Sequence, residues 1–214
     1  MKSKHTARLA TDRVRHTPRS WARLLALAAI PVLGACDDGP SESNRASLVR
    51  DATGDIRAAF TAAPRNADLD VVRAEVSYDG TNFVFESTSA GAIGTTPNAL
   101  FVWGVNRGAG TARFMDIAPG VLFDVVVIIR PDGTGQVTDL TATPPAAMNL
   151  PAGSVSMSGG TLTARVPASM LPSRGFTPER YTVNLWPRVG AGSNNVQISD
   201  FAPDNSNAPV RDRR

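Results

Sequence analysis

Between residues 71 and 199 one pattern recurs: five to nine β-type residues, then a break at Gly, Pro, Asn or Asp. The runs are 71–78, 82–88, 99–105, 121–129, 136–140, 161–166, 181–187 and 195–199. Short runs separated by turn residues predict an all-β chain, because each strand is too short to bury its own apolar face and must pair. The expected fold is an antiparallel β-sandwich of about eight to ten strands, jelly-roll or Ig-like. The helix candidates are 55–63 and one turn at 167–171.

Within this pattern, "VVRAEVSYDGTNFVFES" reads as a hairpin. Asp79-Gly80 suits a two-residue type I′ turn, pairing Tyr78 with Thr81 and Val76 with Phe83. Val72, Ala74, Val76, Phe83 and Phe85 then share the core face, and Arg73 lies opposite Glu86 as a favourable cross-strand pair. A four-residue loop would shift the partners and keep both faces. The run 121–129 is apolar at almost every position except Asp124, as expected of a central strand covered on both faces.

The front of the chain differs. Residues 1–23 carry seven basic side chains and one acid, and 24–34, "LLALAAIPVLG", is apolar throughout. A basic segment followed by 11 apolar residues and then small ones predicts a secretory leader, since a spanning helix needs ~20. Leu33-Gly34-Ala35-Cys36 resembles the lipobox of bacterial lipoproteins. That resemblance implies cleavage before Cys36, a diacylglycerol on its sulfur and an acyl chain such as palmitate on its new amino group. Two or three chains anchor a protein where one does not. The expected organisation is a leader at 1–35, a flexible acidic tether at 36–45, a sandwich at 46–202 and a disordered tail at 203–214. The expected location is the cell envelope, attached to the membrane through lipid.

Cleavage would also change the chemistry. The leader carries a formal +6, so the +3 of the whole chain becomes −3. The basic balance then belongs to the leader, and no nucleic-acid partner is expected. His5 and His16 would leave with it. Without histidine and with its one cysteine acylated, the remainder has no Ser-His-Asp or Cys-His constellation. It offers no ligand set for zinc. Haem would have to fall back on Met115, Met148, Met157 or Met170, and none is expected.

Carboxylates remain. Glu75 and Glu86 on the outer face of the hairpin form the one glycosidase-like pair, but Arg73 beside them opposes the raised pKa a general acid needs. More suggestive are Asp51 and Asp55 in "RDATGDIRAAF", Asp68 and Asp70 in "NADLDVV", and Asp200 and Asp204 in "SDFAPDNSN". This layout resembles secreted bacterial β-sandwich domains related in architecture to family 9 carbohydrate-binding modules and DOMON domains. The resemblance implies that the two chain ends lie side by side, which would bring Asp51, Asp55, Asp70, Asp200 and Asp204 together as calcium ligands. The alternative is that these aspartates cap turns. It also implies a sugar ligand, for which Trp103 and Trp186 are the candidate stacking platforms, though both sit inside strands where core packing competes. The function expected is non-catalytic binding or scaffolding, with a glycan or another envelope protein as partner. A glycan-binding module and a carboxylate glycosidase are the alternatives.

Overall fold

The computed structural model describes residues 47–214. The expected leader, tether and Cys36 lie outside the described residues. Fourteen strands run in chain order: β1 Leu48–Arg50, β2 Val71–Tyr78, β3 Asn82–Ser89, β4 Ala99–Asn106, β5 Thr111–Ala112, β6 Leu122–Phe123 and β7 Val125–Ile129. They continue as β8 Gly135–Asp139, β9 Ala146–Asn149, β10 Val155–Ser158, β11 Thr161–Pro167, β12 Thr182–Val189, β13 Ala208–Pro209 and β14 Arg211–Asp212. Nine of them have four or more residues, as the turn spacing led one to expect; the rest are two- or three-residue edges. Among the described residues no helix is long and apolar enough to cross a membrane.

Two sheets make an all-β sandwich. One has the order β1-β2-β3-β11-β10, with β14 added beside β2; the other runs β13-β12-β4-β7-β8-β9. Every pairing between named strands in these sheets is antiparallel except β14 with β2. The core between them joins Val76, Phe83 and Phe85 of the first sheet to Phe101, Trp103, Val127 and Leu185 of the second. A second apolar cluster lies on the far face of the second sheet, where Phe114, Val121, Phe123 and Phe201 cover Val102, Val126 and Trp186. That cover helps bury all eight residues of β4, and β7, Val125–Ile129, is the central strand. The expected single strand over 121–129 is corrected: it breaks at Asp124, and β6 pairs with β5 in a separate two-stranded sheet, with Leu122 exposed.

The hairpin differs from the two-residue expectation. Tyr78 pairs with Phe83 and Val76 with Phe85, so four residues, 79–82, lie between the last paired positions, and both faces are kept. The cause is Asp79, whose carboxylate accepts the N–H groups of Thr81 and Asn82 at 2.9 and 2.7 Å. Only Gly80 takes a positive φ, whereas a type I′ turn needs two. A register shift between Val71 and Arg73 turns Val71 into the core in place of Val72.

Three other expectations are corrected. Residues 55–63 are not helical: Arg57 is drawn out by its N–H to the Ser199 carbonyl and by guanidinium hydrogen bonds to the carbonyls of Asn195 and Ile198. The 195–199 run is a short 3-10 turn at Asn195–Gln197, because the Asn194 side chain accepts the Val196 N–H and competes with strand pairing. The tail is built into both sheets through β13 and β14. Ala208 and Val210 are buried there, which outweighs the polar composition that pointed to disorder.

Candidate functional site

The segment at 51–55 and the return at 200–204 meet at one end of the sandwich, beside the start of β2, while the last residues, 211–214, lie at its other end. Asp51 follows β1, and its N–H reaches the Val72 carbonyl, so the chain stays beside β2 before turning at Thr53-Gly54. Gly54 has φ +88°, a conformation that favours glycine, and it sets Asp55 after the turn. Asp70 stands at the mouth of β2, behind the 3-10 turn Ala67–Leu69. Asp200 lies where the chain returns from β12, between the Ser199 N–H to the Pro187 carbonyl and the Ala202–Leu185 bridge. Asp204 follows four residues later.

All five aspartates named from the sequence are brought together. Oxygens of Asp55, Asp70 and Asp200 lie within 4.8 Å of one another, and so do those of Asp51, Asp55 and Asp204. Two oxygens bound to one Ca²⁺ at ~2.4 Å are at most ~4.8 Å apart, so both triads match the span of one ion. Asp68, their near neighbour in sequence, does not join them. Its carboxylate accepts the Thr96 N–H and hydroxyl at 2.7 and 2.6 Å, a turn-fixing role.

Local hydrogen bonds use only part of what these carboxylates offer. Asp70 Oδ2 accepts the Gly54 N–H at 2.7 Å, while Asp200 accepts from Val71 and Phe201 at 2.9 and 2.8 Å. Asp70 is only 4% exposed, yet its Oδ1 has no hydrogen-bond partner among the described residues. Asp51 Oδ2 is likewise enclosed and unpartnered. A buried carboxylate oxygen without a partner costs free energy that turn capping alone does not return.

The electrostatics agree. Burial pushes the Asp200 carboxyl up to about 7, with Asp51 and Asp55 adding to it against the opposing Val71 N–H. Burial, then Asp55 and Asp204, push Asp51 up to about 6. Asp70 is raised as well, by burial and then Asp55, against the Gly54 N–H. An acid whose folded pKa lies above its unfolded value stabilises the fold at low pH and loses that contribution as pH rises through the folded pKa. For Asp200 the loss runs from about pH 4 to about pH 7. Between pH 5 and 7.5 Asp200 alone should therefore cost the metal-free protein about 3 kcal/mol, or roughly 6–12 °C in melting temperature. Asp200→Asn should make that profile shallower in thermal melts across this range, leaving the smaller share of Asp51; a wild-type profile that is already flat would contradict the cluster's electrostatics.

The two tryptophans do not form a sugar platform. Trp103 points into the core between the sheets, edge-on to Phe85 at 5.4 Å, and is 1% exposed. Trp186 is 2% exposed on the opposite face of the same sheet, enclosed by Phe114, Phe123 and Phe201. It lies over Gly104, where a Cβ would meet its ring at 2.6 Å. Burying these rings outweighs leaving them wet. A cleft of about 610 Å³ opens among Thr96, Asn98, Arg130, Asp132 and Gln197, and no aromatic side chain lines it.

The carboxylate pair on the hairpin is also occupied. Glu75 and Glu86 are direct cross-strand partners, and Arg73 reaches them at 3.1 and 3.5 Å. Arg211 and Arg213, from the ordered tail, approach Glu75 at 3.1 and 3.5 Å. Burial would raise the Glu75 pKa, but hydrogen bonds from Arg211 and Arg73 outweigh it and hold the group below its usual range. That is opposite to what a general acid requires.

Sequence reasoning missed the buried ion network. Arg107, with no exposed surface, donates from Nε to Asp124 Oδ1 at 2.6 Å and lies 3.1 Å from Asp139. Asp124 Oδ2 also accepts the N–H groups of Arg107 and Ala109. The signal available was the lone charge in the apolar 121–129 run, since a buried carboxylate demands a partner. The chain matches no protein-family model, no curated protein and no solved structure.

Proposed function

We propose that this chain is a lipid-anchored module of the bacterial cell envelope that binds or scaffolds without catalysing a reaction. Its sandwich is pinned by calcium at the aspartate cluster. The observation that carries the reading is the enclosed Asp70, whose Oδ1 has no partner and whose carboxylate lies within ligand distance of those of Asp55 and Asp200. A hard divalent cation satisfies that oxygen and offsets the crowding of several carboxylates at once. The residues fit calcium because they supply only oxygen; an imidazole- or thiolate-ligated metal has no donors here.

Calcium joins the segment at 51–55, behind the proposed tether, to strand β2 and to the return at 200–204. The metal thus closes the end of the domain nearest the anchor in sequence. The clamping of Glu75 by arginines supports a non-catalytic reading. The burial of Trp103 and Trp186 weighs against the glycan-binding alternative.

Two measurements test this. Radioactive calcium should be retained by the purified protein in equilibrium dialysis and held more weakly by Asp70→Asn; no retention by the wild type at millimolar calcium would sink the metal reading. Labelled palmitate should enter the wild type in cells and not Cys36→Ala; equal labelling of the two would sink the anchor.

A further inference from the structure

We infer that the aspartate cluster holds two calcium ions that share Asp55. This rests on the calcium reading above and deepens it. The five carboxylates do not form one group. They divide into an inner triad of Asp55, Asp70 and Asp200 and an outer triad of Asp51, Asp55 and Asp204, with Asp55 in both. Each triad is compact enough for one ion, whose oxygens at ~2.4 Å lie at most ~4.8 Å apart.

Charge argues the same way. One Ca²⁺ leaves five carboxylates three charges in excess, whereas two leave one. Each triad also has its own unpartnered, enclosed oxygen: Asp70 Oδ1 in the inner one, on a side chain only 4% exposed, and Asp51 Oδ2 in the outer. A single ion on the inner triad would leave Asp51 Oδ2 without a partner. A carboxylate has two oxygens and four lone-pair sites, so Asp55 can bridge two cations.

The two sites differ in their walls. Asp70 and Asp200 are buried and held by backbone N–H groups, which makes the inner site rigid. Asp204 is exposed and Asp51 only partly enclosed, so the outer ion keeps more water and binds more weakly, by about tenfold or more.

Calorimetric titration of the chelator-stripped protein with calcium chloride tests this. Two ions per chain in two phases are expected. Asp204→Asn, an exposed change that leaves folding intact, should remove the weaker phase and keep the tighter one. Asp70→Asn should remove the tighter phase, and Asp55→Asn should weaken both. A stoichiometry of one, with Asp204→Asn and Asp70→Asn weakening the same phase, would overturn the two-ion site while leaving a calcium site in place. No uptake at all would overturn both.

Discussion

Saturating calcium is expected to raise the melting temperature of the purified protein by about 10 °C, because an ion at ~1,000 times its dissociation constant adds about 4 kcal/mol to a domain of this size. The gain comes from the folded state alone. In the unfolded chain Asp51 and Asp200 are far apart, whereas in the fold their carboxylates share one small space with Asp55. Asp70→Asn should abolish most of the rise. The amide can still accept the Gly54 N–H that Asp70 Oδ2 now takes, so the turn survives. Asp70→Asn should also melt no lower than the wild type in chelator, because it removes one of the repelling charges. A variant that melts lower both with and without calcium would instead mark Asp70 as purely structural. The effect of calcium should grow from pH 5 to 7.5, as ions replace the protons held by Asp200 and Asp51.

Arg107→Met is expected to cost 3–5 kcal/mol, a melting-temperature loss of roughly 10–15 °C. Arg107 is fully enclosed and hydrogen-bonds Asp124, approaches Asp139 and reaches the Pro172 carbonyl at 3.2 Å. Its loss strands Asp124, a carboxylate in the wall of the apolar core, with only two backbone donors. Arg107→Lys should recover little, since an ammonium cannot reproduce the fork that meets both carboxylates. High salt should not mimic the loss, because a buried pair is poorly screened. Chemical denaturation would register the effect; a change below about 1 kcal/mol would show that the network is dispensable.

Much of this architecture was legible because strands announce themselves by length and alternation. The run 71–78 became β2 at the same bounds, and 82–88 became β3 with one more residue. Alternation does not say how a sheet is covered. Trp103 and Trp186 occupy neighbouring strands in the second sheet, and nothing local in the sequence places Phe114 and Phe123 over one of its faces. The hairpin register turned on one side chain, Asp79, capturing two backbone donors in place of a type I′ turn. The aspartates at 51, 55, 70, 200 and 204 were legible as a group only through the resemblance to sandwiches whose chain ends meet; their spacing alone does not bring them together. Arg107 stayed hidden because its partners come from other elements: Asp124 lies between β6 and β7, and Asp139 at the end of β8.

On the calcium reading, a cation ties the segment at 51–55 to the body of the sandwich. Amide hydrogen exchange tests it most directly, because it locates the effect. Adding calcium to the chelator-stripped protein should slow exchange at Ala52, Gly54, Val71 and Phe201, whose N–H groups lie on Asp51, Asp70 and Asp200, and leave the exposed edge strand β9 unchanged. Unchanged exchange at those four amides, with calcium present at millimolar concentration, would show that no cation ties this segment down.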